Sequence, residues 1–208
     1  MKLTEQSDIE TIRRRNIIEM ALGFTAMMRI FSEGSKHKIE SKLTELFSSL
    51  PTITSPEDYE SRHRTFCKWF THEIRTAEKK LKNGKVLESE RASYGHAAKI
   101  LDIAIKVYVY YCAQPNAEVA ERVLPFLNGA VDTQIMEHLQ SVCATTIRSK
   151  TIKEVDEKAY RGLQLLVCAE SQALKIYPVQ YDDVMWRRLN RNVAPIKASK
   201  EPSSWSRP

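Results

Sequence analysis

Strand signals are missing from this chain. Nowhere do apolar and polar residues alternate over a short run bounded by turn residues. Long hydrophobic runs are missing too. The most apolar stretch, residues 94–112, is interrupted by Lys99, Asp102 and Lys106 and falls short of a membrane span, which needs about 20 apolar residues. The opening residues, MKLTEQSDIETIRRR, turn polar at once, unlike a secretory leader. These absences exclude a β fold and a helical membrane protein, and a cytoplasmic location with no membrane partner is expected. No short repeat occurs, and the six glycines form no phosphate-cradling loop, which excludes the P-loop and dinucleotide-binding classes. The four cysteines, Cys67, Cys112, Cys143 and Cys168, include no C-x-x-C pair, so neither a structural zinc site nor a compact iron–sulfur loop is expected. Four buried thiols are expected instead. His63 and His72 lack metal-ligand spacing. No metal and no cofactor is expected.

What remains is helical periodicity and positive charge. With 208 residues the chain can build one sizeable core, or two lobes that share a chain. A net charge of +6 and a pI of 9.1 favour an acidic partner, nucleic acid above all. Apolar residues recur at helical spacing from Ile9 to Met28 and again over 36–50. Ser7-Asp8-Ile9-Glu10 reads as the first cap, and the first helix is expected to stop near Gly34. Ser55-Pro56-Glu57-Asp58 caps a third helix over 57–82, closed by Asn83-Gly84. In that helix Phe66, Trp69 and Phe70 interleave with Arg62, His63, Arg64 and Lys68, and a core helix with a wet basic face is the expectation. Further helices are expected over 94–112, over 117–124, from Asp132 towards Ile147, over 156–173 and over 184–189. The fold class is therefore all-α, with about eight helices in one domain over 1–191. The Pro-, Ser- and Lys-rich end, 192–208, is expected to be a disordered basic tail.

The chemistry concentrates between Ser93 and Leu139. Lys99, Asp102 and Lys106 recur at i, i+3 and i+7 on a helix that is otherwise apolar, so they share one face. Read plainly, they form a solvated, self-paired stripe. Alternatively, a lysine on a buried helix and Asp132, where a later helix begins, form a catalytic pair.

The segments Ala98-Lys99-Ile100-Leu101, Lys106-Val107-Tyr108, Pro125 and Ala130-Val131-Asp132-Thr133-Gln134-Ile135 resemble the catalytic half of helix-hairpin-helix DNA glycosylases. They look most like the archaeal-type 8-oxoguanine branch. The resemblance covers about 50 of the 208 residues. It implies that Lys99 and Asp132 flank an extruded nucleotide, and that a helix-hairpin-helix element precedes the lysine. The glycine pair of that hairpin is missing; Tyr94-Gly95-His96-Ala97 stands in its place and is expected to offer helix N-terminal amides to phosphate.

Cleaving a base from deoxyribose builds positive charge on the sugar. Asp132 is the carboxylate expected to stabilise that charge or to deprotonate water. Lys99 is either a Schiff-base nucleophile or a positioning group. Asp102, one turn on, is expected to hold Lys99 protonated, which favours hydrolysis without an adduct. Trp69, Tyr94 and Phe126 are candidate walls for the base, with Lys106 as a further substrate-binding residue. The expectation is a monomeric DNA glycosylase that excises oxidised guanine or a modified base of phage DNA. The alternative is a non-catalytic all-α module that binds nucleic acid or protein.

Overall fold

The computed structural model describes residues 6–80, 82–143 and 149–189. The fold is all-α, as expected, with eight α-helices among the described residues: α1 (Gln6–Gly23), α2 (Ser35–Ser48), α3 (Pro56–Glu73), α4 (Tyr94–Ile105), α5 (Ala117–Val123), α6 (Thr133–Val142), α7 (Glu157–Leu174) and α8 (Tyr181–Leu189). The expected tail from 192 lies outside the described residues, as do residues 144–148 beyond α6. Among the described residues no helix is long and apolar enough to cross a membrane.

Polar side chains fix where the helices begin. Ser55 accepts from the Asp58 amide at 3.2 Å ahead of Pro56. Asn116 takes the Val119 amide at 2.9 Å, and Asp156 takes that of Ala159 at 2.7 Å. Each satisfies an amide that the first helical turn leaves without a partner. Helix α4 is the central one. Ala97, Ala98, Ile100, Leu101, Ala104 and Ile105 are all buried, and α4 packs against α1, α2, α3 and α7. Each fully buried Ile or Leu contributes about 1.5–3 kcal/mol, so this helix anchors whatever it carries.

Beyond Ile105 the helix widens into a π-helical turn, Lys106–Tyr111, with the Cys112 amide reaching back to the Val107 carbonyl at 3.1 Å. In an α-helix residues five apart point about 140° away from each other; the wider turn brings them close to one side. Lys106 and Tyr111 consequently meet, with the ammonium 5.6 Å from the ring centroid.

Three sequence expectations need correction. Helix α1 stops at Gly23, and residues 26–30 form a separate 3-10 turn capped by Thr25. Helix α3 ends at Glu73, because the following chain pairs outward: the Thr76 amide donates to the Glu90 carbonyl at 2.8 Å, and that of Ala77 to Ile30 at 2.8 Å. A small antiparallel ribbon follows, β1 (Lys79–Lys80) with β2 (Val86–Leu87), in the register Lys79 to Leu87 and Lys80 to Val86. Asn83-Gly84 turns that ribbon rather than ending a helix, with Gly84 at φ 81°. Finally, only Cys67 of the four cysteines is buried; Cys112, Cys143 and Cys168 are half-buried.

Candidate active site

Lys99 and Asp132 converge. Lys99 Nζ lies 3.7 Å from Asp132 Oδ2, on the wall of a cavity of about 670 Å³, a volume typical of small-molecule sites. Helix α4 delivers the lysine. Asp132 arrives as the N-cap of α6, where its Oδ1 accepts the Ile135 amide at 3.0 Å. One carboxylate oxygen therefore holds the helix and the other faces the lysine.

The loop carrying Asp132 is clamped from behind. Gln164 on α7 holds both backbone groups of one residue: it accepts from the Gly129 amide at 3.1 Å and donates to the Gly129 carbonyl at 2.9 Å. Gly129 has no room for a side chain, since a Cβ there would stand 2.6 Å from the Pro178 carbonyl oxygen and 2.8 Å from Val167 Cγ1. Gly129→Ala is therefore expected to cost about 1–3 kcal/mol through overpacking, read as a loss of several degrees in thermal melting. An unchanged melting temperature would show that this loop yields freely and does not fix Asp132.

Lys106 lies in the same cavity, with its side chain only 8% exposed, between Asp182 and Asp183 of α8. It donates to Asp182 and, at 3.0 Å, to Asp183, which also accepts from Tyr111 at 2.7 Å. Burial pushes the Asp182 carboxyl up to about 6 against the pull of Lys106. On Lys106 burial works against the charge, yet the two aspartates hold its pKa above the ordinary lysine value. Asp182 Oδ1 is buried and has no hydrogen-bond partner among the described residues.

The lining therefore holds three cations, Lys99, Lys106 and Arg187, against three carboxylates, Asp132, Asp182 and Asp183. Phe24 and Trp186, 66% and 55% exposed, add aromatic surface to the lining. Sequence reasoning missed these α8 residues. Their only local signal was Asp182 and Trp186 at i and i+4, which share a helix face.

Asp102 leaves the expected stripe. It sits about 60° round the helix from Lys99, enough to point it into the core, where it is wholly buried. Its Oδ1 is 3.0 Å from His63 Nε2, and its Oδ2 accepts from Tyr160 at 2.8 Å. It pairs with neither lysine among the described residues, so the expected Asp102–Lys99 pair is corrected to Asp132–Lys99. His63 is likewise buried rather than on a wet basic face, with its ring stacked on Tyr160 at 5.1 Å. Burial disfavours its charge, but Cys67 and Asp102 raise its pKa to about 10. This network ties α3, α4 and α7 together. Breaking such a buried pair costs about 3–5 kcal/mol, because the survivor keeps an uncompensated charge.

The three proposed base walls are not brought to Lys99. Trp69 packs on Phe66 and Phe70, with Lys42 Nζ 5.9 Å from its ring. Tyr94 and Phe126 line a second cavity of about 370 Å³ together with Tyr59, His63 and Tyr160. The basic residues of α3 are engaged too, Arg64 by Glu60 and Glu157, and Arg62 by Thr52.

Nor are the amides at the start of α4 open to phosphate. Ser93 and His96 form a reciprocal cap. The Gly95 amide donates to the Val155 carbonyl at 2.9 Å, and Ser93 Oγ donates to that of Ile152 at 3.2 Å. A Cβ at residue 95 would stand 2.2 Å from the Ile152 carbonyl oxygen; glycine is needed here for close packing, not for phosphate. Burial, with Lys153 and Lys99 nearby, pushes His96 down to about 4, so its ring is neutral and Nδ1 accepts from the Ser93 amide.

No family model, no curated protein and no solved structure matches this chain.

Proposed function

We propose that the protein is a DNA glycosylase that excises a damaged or modified base, such as oxidised guanine or a modified base of phage DNA, and leaves an abasic site. The observation that carries this reading is the 3.7 Å approach of Lys99 Nζ to Asp132 Oδ2 on a concave wall. A carboxylate beside an amine is what breaking a glycosidic bond asks for: one group to stabilise the sugar cation, one to attack C1′.

The lining supports a neutral ligand. Three positive and three negative side chains cancel, so a phosphate gains nothing by entering, whereas an extruded base does. Phe24 and Trp186 offer stacking surface, worth about 1–3 kcal/mol per base.

The attacking atom in this reading is Lys99 Nζ. Its bond to C1′ forms as the C1′–N bond breaks, the electron pair leaves with the base, and Asp132 receives the proton from the amine. The departing base takes up the proton that Asp132 received, which returns Asp132 to its carboxylate form.

Genomic DNAs that differ in their base modifications, including oxidised DNA and phage DNA, test the proposal when scored with an aldehyde-reactive probe. Abasic sites should appear in at least one modified DNA and not in the unmodified control. Their absence from every DNA would overturn it.

A further inference from the structure

With the start of α4 closed, a glycosylase of this fold must hold the phosphates elsewhere, and the ribbon supplies the means. Residues 79–87 read KKLKNGKVL, with four lysines and no acid. Lys79, Lys80, Lys82 and Lys85 are all exposed, and none of them makes an ion pair among the described residues. That sets them apart from Arg64 and Lys68 of α3, which are engaged by glutamates, and from Arg62, which is held by Thr52. The nearest acids, Glu78 and Glu88, flank the two strands at the stem, and Glu90 beyond them is engaged by Lys153.

Both strands are exposed along their length, with Val86 44% and Leu87 42% exposed. An isolated two-stranded ribbon has little stability of its own, so its stem matters. The Thr76 amide donates to the Glu90 carbonyl at 2.8 Å and the Glu90 amide to Thr76 Oγ1 at 3.0 Å. Arg75 reaches the Ser89 carbonyl at 2.8 Å. The Ala77 amide binds the carbonyl of Ile30 at 2.8 Å, the last residue of the 3-10 turn whose Ala26 and Met27 line the candidate site. The ribbon is thus hinged to a wall of that cavity.

We propose that this ribbon is a docking element for duplex DNA, laying Lys79, Lys80, Lys82 and Lys85 against the phosphates that flank the extruded nucleotide. Ribbons of this width fit the major groove of B-DNA, and unpaired lysines release condensed counterions when they meet phosphate. The assignment rests on the glycosylase reading and adds to it where the protein grips its substrate.

The test is fluorescence anisotropy of the full chain on a labelled duplex over a range of salt concentrations. Each phosphate contact contributes about 0.9 to the slope of log K against log salt. Replacing all four lysines by glutamine (Lys79→Gln, Lys80→Gln, Lys82→Gln and Lys85→Gln) should therefore make the slope shallower by about three to four. Affinity at low salt should fall at least about tenfold, while the melting temperature holds because the side chains are exposed. The matching four arginine replacements should restore the slope. Parallel slopes for wild type and the glutamine variant would overturn the ribbon assignment and leave the glycosylase reading standing. Failure of the wild type to bind duplex would remove both. Loss of binding only to vesicles containing phosphatidylserine, with duplex binding unchanged, would assign the ribbon to a lipid surface and overturn the proposal.

Discussion

Asp132→Asn should abolish base release, with a loss of about a hundredfold or more for the missing electrostatic stabilisation, and should leave the fold in place. The two oxygens of Asp132 do different things. Oδ1 caps α6 through the Ile135 amide, and asparagine caps a helix about as well as aspartate. Oδ2 faces Lys99, and there the substitution replaces a carboxylate by a neutral amide. The pair is partly exposed, so its loss costs only about 0–1 kcal/mol of stability. Single-turnover base release and thermal melting, run on the same preparation, separate the two effects. A folded Asp132→Asn protein that still releases base would remove Asp132 from the chemistry.

Lys99→Gln carries the second large effect. Ring opening after attack by Nζ leaves an imine between Lys99 and the sugar C1′, and borohydride delivers hydride to that carbon to fix the adduct. Wild type should be trapped on its DNA, and Lys99→Gln should give no trapped species and lose base release by about a hundredfold or more. The sequence alone favours the opposite outcome, because a carboxylate one turn from Lys99 keeps the amine charged. In the folded chain Asp102 is turned to His63 and Tyr160, and the carboxylate near the amine is Asp132, at 3.7 Å, which in the proposed step is the acceptor of the amine's proton and so frees Nζ to attack. Base release that survives in Lys99→Gln, with no wild-type adduct, would make the enzyme a simple hydrolase with water as the attacking group.

The helices were readable because their determinants are local. The Ser55-Pro56 start, the Asp132 and Asp156 caps and the apolar residues of α4 lie within a few residues of what they specify. Lys99 and Asp132 were readable as a pair because each sits in a recognisable local context. Asp102 was misread because a helical repeat groups residues to within about a third of a turn, and that is the angle separating a cavity wall from the core. His63 looked solvated because its neighbours in sequence are basic; its partners, Asp102 and Tyr160, are 39 and 97 residues away. Asp182, Asp183 and Trp186 reach the cavity from the last described helix, a meeting that no local pattern encodes. The lysine ribbon escaped for another reason: both of its faces are wet, so it has no alternation to display.

The π turn at Lys106–Tyr111 makes one wall of the cavity a matter of chain length as well as side-chain identity. Its hydrogen bonds enclose one residue more than an α-helical turn, so the segment holds a surplus residue. Drawn into α geometry at unchanged length, the segment would leave Lys106 where α4 puts it and turn Tyr111 about 140° away from it. Tyr111 would then part from Asp183 although no contacting residue had been changed. A substitution at Val107, which lines the cavity, alters the volume of this wall; the loss of one residue from the turn would instead restore α geometry with Tyr111 four residues from Lys106, within about 40° of it.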